Sequence, residues 1–144
     1  GGTRPYIAEG AKIITTAKNR NFFEQMAKAE FTISPDSLSQ MPKNPDFMFV
    51  EDTHKFDDEQ IVIIRNIKSL HAEDMYLVHL PKEKLVFQSD LYNWANNAVT
   101  DSTADMVEKI EKYGWQIETM ISSHGGVIPY QQVKDEVKAF RSKK

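Results

Sequence analysis

An α/β fold, with a mixed sheet containing an antiparallel meander, is what this sequence predicts. Three observations carry it. An apolar strand-like run near the start is followed by a helical pattern. Several short apolar runs then follow between residues 47 and 90, with links too short for crossovers. The chain closes as helix, strand, helix.

The opening "GGTRPYIAEGA" is turn-rich, and Gly10 precedes the strand Lys12-Ile13-Ile14-Thr15-Thr16. In "AKNRNFFEQMAKAEF" the residues Phe22, Phe23, Met26, Ala27 and Glu30 fall at helical spacing, which predicts a helix with one apolar face. Residues 32–46 hold three prolines among Ser, Asn and Asp, the composition of a long loop. "FMFVE", "HKF" and "QIVIIRNI" read as strands of the meander, with Asp57 and Asp58 as turn residues. "DMYLVHLP" and "EKLVFQSD" follow as a hairpin across Pro81–Lys84. "STADMVEKIEKYG" is a helix with Ser102 or Thr103 as N-cap and Gly114 as its stop. "WQIETMIS" is a strand, and Pro129 can initiate a last helix in "PYQQVKDEVKAFRSKK".

Bulk properties narrow the class. The 144 residues make one domain or a fragment of one, spanning 1–144. Hydrophobic residues are 40% and charged residues 27%, ordinary for a globular chain. The net charge of -3, with both signs interspersed, argues against a nucleic-acid partner. No apolar run is long enough to span a membrane, and no signal-peptide pattern opens the chain. Cysteine is absent, which removes disulfides, thiolate metal sites and cysteine nucleophiles and leaves the compartment open.

Three polar residues share a position in the pattern. His71 immediately precedes one apolar strand, Asp90 ends the next, and His124 ends "WQIETMIS" before two glycines. Ligands of α/β proteins collect outside strand ends, where the sheet fixes direction and loops leave space. An antiparallel hairpin would make His71 and Asp90 neighbours at one edge. His124 joins them only if its strand ends at the same edge. Two imidazoles and a carboxylate suit Zn, Fe or Mn. Taken singly, each is also an ordinary turn residue.

The other histidines differ. His79 alternates with Met75 and Leu77, the position of a satisfied, half-buried core histidine. His54 lies among polar turn residues and should face solvent. Ser122 and Ser123 flank His124 but lack the G-x-S-x-G elbow. No G-x-G-x-x-G and no Walker A lysine occurs, so nucleotide binding is unsupported. "DDE" at 57–59 reads as a solvated turn, and Phe22, Phe23, Trp94 and Trp115 as packing residues.

At these residues the chain resembles the metallo-β-lactamase-fold hydrolases. "SLHAEDMYLVHLPKEKLVFQSDLYN" is similar to the superfamily's block in which a histidine precedes a hairpin ending in aspartate. "ISSHGG" resembles its last ligand motif, and "GGTRPYIAEGAKIITT" the segment after its first motif, where the chain enters a helix and then a strand. The resemblance implies part of a four-layer αββα sandwich. It implies His71 completing the first metal's ligands, Asp90 bridging both metals and His124 on the second. The cofactor it implies is Zn, as one or two ions, with Fe or Mn as alternatives. The implied chemistry is attack of a metal-activated hydroxide on an ester, amide, thioester or phosphoester of a small-molecule substrate.

The motif H-x-H-x-D-H, which supplies four ligands, occurs nowhere in these residues. The expectation is therefore a C-terminal part of such a domain, inactive as an isolated chain, able to lack bound metal, and prone to self-association or to pairing with a missing N-terminal half. A non-catalytic α/β interaction module is the alternative. A mononuclear iron oxygenase is disfavoured by the missing close H-x-D pair. Specificity would lie in residues 32–46 and around Trp94.

Overall fold

The computed structural model describes residues 2–56, 62–64, 75–92 and 99–143, with 62–64 described as backbone alone. The chain divides into two compact units, Gly1–Glu51 and Asp52–Lys144.

In the first unit, α1 (Thr3–Ala8) precedes β1 (Lys12–Thr15), a 3-10 turn (Ala17–Asn19), α2 (Arg20–Lys28), α3 (Ser37–Gln40) and β2 (Asp46–Phe49). The start is thus helical where composition alone reads as turn-rich, and the helix followed by a strand is the order that the resemblance implies. Pro5 sits in the first turn, where its missing N–H has no intrahelical partner to lose. Gly10, at φ 82°, reverses the chain after the helix. The strand and helix expected next both form, although α2 stops at Lys28 and leaves Glu30 outside it. Met26 and Ala27 pack with Ile13 against Ile7, Ala8 and Leu38. Phe22 departs from the expected apolar face and is 64% exposed, its ring set edge-on to Phe23.

The strand "FMFVE" does not join the meander. Here β2 pairs in parallel with β1, Ile13 opposite Phe47 and Thr15 opposite Phe49. The intervening segment is long enough for a crossover and carries α2 and α3, so the chain can return in the same direction.

The second unit carries β3 (Thr53–Lys55), β4 (Val62–Ile64), β5 (Leu77–Leu80), β6 (Leu85–Gln88), α4 (Asp101–Lys112), β7 (Thr119–Ser122), β8 (Gly126–Pro129) and α5 (Tyr130–Arg141). Among the described residues its sheet has six strands in sequence order. Pairing is antiparallel from β3 to β6, parallel between β6 and β7, and antiparallel again to β8. The expected α/β class, mixed sheet and meander are all present. The crossover that makes β7 parallel to β6 contains α4.

One face of the sheet is buried. Leu77, Val86 and Met120 join Val107 and Ile110 of α4 and Val133 of α5 in one apolar cluster. The N-cap of α4 is Thr100, not Ser102 or Thr103. Thr103 instead closes the capping box from N3, and its hydroxyl donates to the Leu91 carbonyl at 2.6 Å. Gly114, at φ 67°, follows the helix as expected. The strand in "WQIETMIS" is confined to its last four residues, because Trp115 turns away to stack on His79. β8 was not expected. Val127 and Ile128 extend the sheet because a three-residue turn, 123–125, brings Gly126 opposite Ser122.

Candidate metal centre

The site is built by register. In the parallel pair β6–β7, Gln88 stands opposite Ser122. Two residues beyond each lie Asp90 and His124, so both strands deliver their polar residue to one sheet edge. β5, antiparallel to β6, begins at that same edge. His71 and Trp94 lie outside the described residues, as do Asp57, Asp58 and Glu59.

Asp90 Oδ1 lies 3.2 Å from His124 Nε2, with side chains 35% and 66% exposed. Asp90 occupies the left-handed region at φ 61°, which Asp tolerates better than most residues. Gly125 at φ 159° and Gly126 at φ 96° provide the reversal beyond His124.

Beneath these two groups runs a buried network that joins the two turns. Gln88 is fully buried. Its Oε1 accepts from the Leu91 amide at 2.8 Å and the Tyr92 amide at 3.3 Å, and its Nε2 donates to the Tyr92 carbonyl at 2.8 Å. That carbonyl also accepts from the Ser122 hydroxyl at 3.1 Å, and Ser122 Oγ accepts from the His124 amide at 3.3 Å. Gln88 thus closes the turn holding Asp90, while Ser122 anchors the backbone of His124. Sequence reasoning overlooked Gln88. Its signal was a glutamine sharing the inward face with Val86, which requires polar partners in a core.

Above the network, Ser89 Oγ lies 2.9 Å from Asp90 Oδ2 and 2.8 Å from Ser123 Oγ. The Ser123 amide donates to the Gln88 carbonyl at 3.2 Å. Ser122 directs its proton to a carbonyl and Ser89 directs its own to a carboxylate, so neither arrangement activates a serine through His124.

The remaining histidines take other places. His79 is buried and stacks on Trp115 with ring centroids 4.2 Å apart. It is not the satisfied histidine expected, because among the described residues neither ring nitrogen has a hydrogen-bond partner. Burial pushes its pKa below the ordinary value of 6.5. His54 is half-buried in β3, its ring edge-on to Phe56 at 4.6 Å, rather than free in solvent.

The donor set fits a divalent ion. Two ligand atoms bound to one tetrahedral Zn2+ at ordinary lengths stand about 3.3 Å apart, close to the 3.2 Å between Asp90 Oδ1 and His124 Nε2. Among the described residues, no group of three or more His, Cys, Asp or Glu converges as a metal site. The pair offers two donor atoms, one carboxylate oxygen and one imidazole nitrogen.

No protein-family model matches the sequence, and no curated protein matches it. Solved structures do match. The DIM-1 metallo-β-lactamase aligns at TM-score 0.61 and 12% identity, covering 99% of this chain and 64% of its own. A metallo-β-lactamase from Pontibacter korlensis aligns at TM-score 0.59 and 15% identity, covering 98% of this chain and 63% of its own. This chain has the metallo-β-lactamase fold. The same fold match extends to the rubredoxin oxygen:oxidoreductase of Desulfovibrio gigas, at TM-score 0.63 and 15% identity, with 95% of this chain and 39% of that one covered. The chain thus spans less than two thirds of the length of these structures.

Proposed function

We propose that this chain is part of a single metallo-β-lactamase-like domain in a metal-dependent hydrolase, with His71, Asp90 and His124 as metal ligands. The observation that carries the reading is the 3.2 Å approach of Asp90 Oδ1 to His124 Nε2 at an exposed sheet edge. The start of β5 at that edge supports His71 as the third ligand, since His71 precedes β5 by a few residues. Zn is the ion this donor set suits best, with Fe or Mn also compatible. Such an ion supplies Lewis acidity and a nucleophile available near neutral pH.

The chain's own residues have simpler tasks. Asp90 contributes negative charge that offsets part of the ion's. His124 contributes a neutral nitrogen donor from a turn that leaves its ring accessible. Gln88 and Ser122 hold the two turns at fixed separation. An ester, amide, thioester or phosphoester of a small molecule is the substrate class proposed. Full activity is assigned to an assembly that supplies the remaining ligands, because H-x-H-x-D-H is absent from these residues.

Metal analysis of the purified chain and of any longer parent tests this reading, together with hydrolysis of a panel covering those four bond types. Retained Zn, Fe or Mn and parental hydrolysis lost in His71→Ala and Asp90→Ala are expected. Neither protein holding metal, with parental hydrolysis intact in both variants, would leave the non-catalytic module as the better account.

A further inference from the structure

The geometry points to Ser89 and Ser123 as positioning residues that fix which oxygen Asp90 presents to a metal ion. The inference rests on the metal-ligand reading of Asp90 and His124 and adds a function for two hydroxyls that reading leaves unused.

The direction of the hydrogen bonds follows from the inventory of donors. Ser89 Oγ is 2.9 Å from Asp90 Oδ2, and an ionised carboxylate can only accept. The single Ser89 proton therefore goes to Asp90. Ser89 Oγ is also 2.8 Å from Ser123 Oγ. With its proton committed, Ser89 must accept there, so Ser123 donates. The order is Ser123 to Ser89 to Asp90 Oδ2, and each link polarises the next.

Two consequences follow. The Asp90 side chain is held in one rotamer about its Cα–Cβ bond, with Oδ2 tied to Ser89 and Oδ1 left facing His124 Nε2. The strut also joins the two turns themselves, since Ser89 precedes Asp90 and Ser123 precedes His124. Ser123 is in turn fixed by its amide on the Gln88 carbonyl. The hydroxyl pair thereby sets the separation of the two ligand atoms before an ion arrives, which lowers the reorganisation that binding requires. Neither serine touches the ion in this scheme.

The test uses the full chain with Ser89→Ala, Ser123→Ala, Ser89→Thr and Asp90→Asn, read in two ways. Without metal, three-bond couplings report the Asp90 side-chain rotamer. One rotamer is expected in the unmodified chain, averaging in both alanine variants, and a single rotamer again in Ser89→Thr, which keeps the hydroxyl. With Co2+ as the probe, chelator competition and the visible absorption of the bound ion are measured. The alanine variants should bind about tenfold to a hundredfold more weakly, the usual effect of losing a partner behind a ligand, with a shifted spectrum, and Ser89→Thr should recover both.

Failures of the two ideas separate cleanly. Co2+ binding lowered by Asp90→Asn but untouched in affinity and spectrum by both alanine variants overturns the positioning role alone. Co2+ binding indifferent to Asp90→Asn overturns the metal-ligand reading and the inference with it. An Asp90 side chain already averaged in the unmodified, metal-free chain overturns the strut directly.

Discussion

Two of this molecule's carboxylates, Asp36 beside Arg4 and Asp90 beside His124, are built for opposite ends. In the first unit Arg4 is buried, and all five of its N–H donors are matched. Nε and one terminal nitrogen bind Asp36 at 2.6 and 2.8 Å, and the rest reach the Met26 and Ala27 carbonyls and Ser39 Oγ. The Phe31 ring covers the guanidinium at 4.6 Å. In the second unit Asp90 and His124 meet at 3.2 Å but remain open to solvent. Saturation is the lesson. The Arg4 cluster has no capacity left for a ligand and serves to hold α1, α2 and α3 together, whereas the Asp90–His124 pair keeps its capacity and relies on neighbours for its position.

The largest effect should come from emptying the saturated cluster. Arg4→Met removes the guanidinium from Asp36, two carbonyls and Ser39, leaving Asp36 only its bonds from Ser39, and hydrogen exchange should show amides of α1, α3 and β1 losing protection while β5 to β7 keep theirs. A uniform small change across both units would contradict the contrast. The pH dependence has a definite sign. The Arg4 guanidinium, with Ser39, holds the Asp36 carboxyl well below the usual carboxylate range. Its contribution is therefore complete above the unfolded value of about 3.9 and declines as pH falls further. Arg4→Met should remove most of that acid sensitivity.

Next is the support beneath the open pair. Gln88→Leu strands the Leu91 and Tyr92 amides in a buried turn, and should cost about 3 kcal/mol in denaturant unfolding. It should weaken Co2+ binding as well, although Gln88 is buried and contributes no ligand atom. A variant of unchanged stability would mean that the turn holding Asp90 is fixed by something else.

A smaller effect is expected from His79. Its folded pKa lies below 6.5, so the unfolded state takes up the proton first and stability falls as pH drops below that value. His79→Phe should preserve the stack on Trp115 and flatten this slope, as measured by thermal unfolding between pH 7.5 and 5.5 buffers, on the order of those in which histidine ordinarily titrates. Persistence of the slope in the variant would assign it to another group.

The smallest stability change belongs to the open site itself. Asp90→Asn keeps a residue that tolerates the left-handed region, so unfolding free energy should move by no more than about 0.5 kcal/mol. A large loss would place Asp90 with Asp36 among the structural carboxylates and erase the comparison.

Much of this arrangement was legible beforehand. Alternation marked β5 and β6, helical spacing marked α4 and α5, and Asp90 and His124 were recognisable as polar residues at strand ends. What escaped was non-local. β2 looked like the next strand of a meander because its link to β3 is short, yet its partner is β1, far back in the chain. β8 escaped because the glycines after His124 read as a turn leading directly into a helix. His79 was placed on the correct inward face, but that its ring nitrogens have no hydrogen-bond partner among the described residues could not be seen from alternation alone.

By itself, the sequence determined which residues could serve at the edge and that the sheet would be mixed, since residue type and hydrophobic period are local properties. Only the tertiary structure decided that β7 runs parallel to β6, which carries His124 to Asp90 instead of to the opposite edge. Strand direction depends on where a crossover returns the chain, and Gln88, Ser89, Ser122 and Ser123 acquire their partners only once that choice is made.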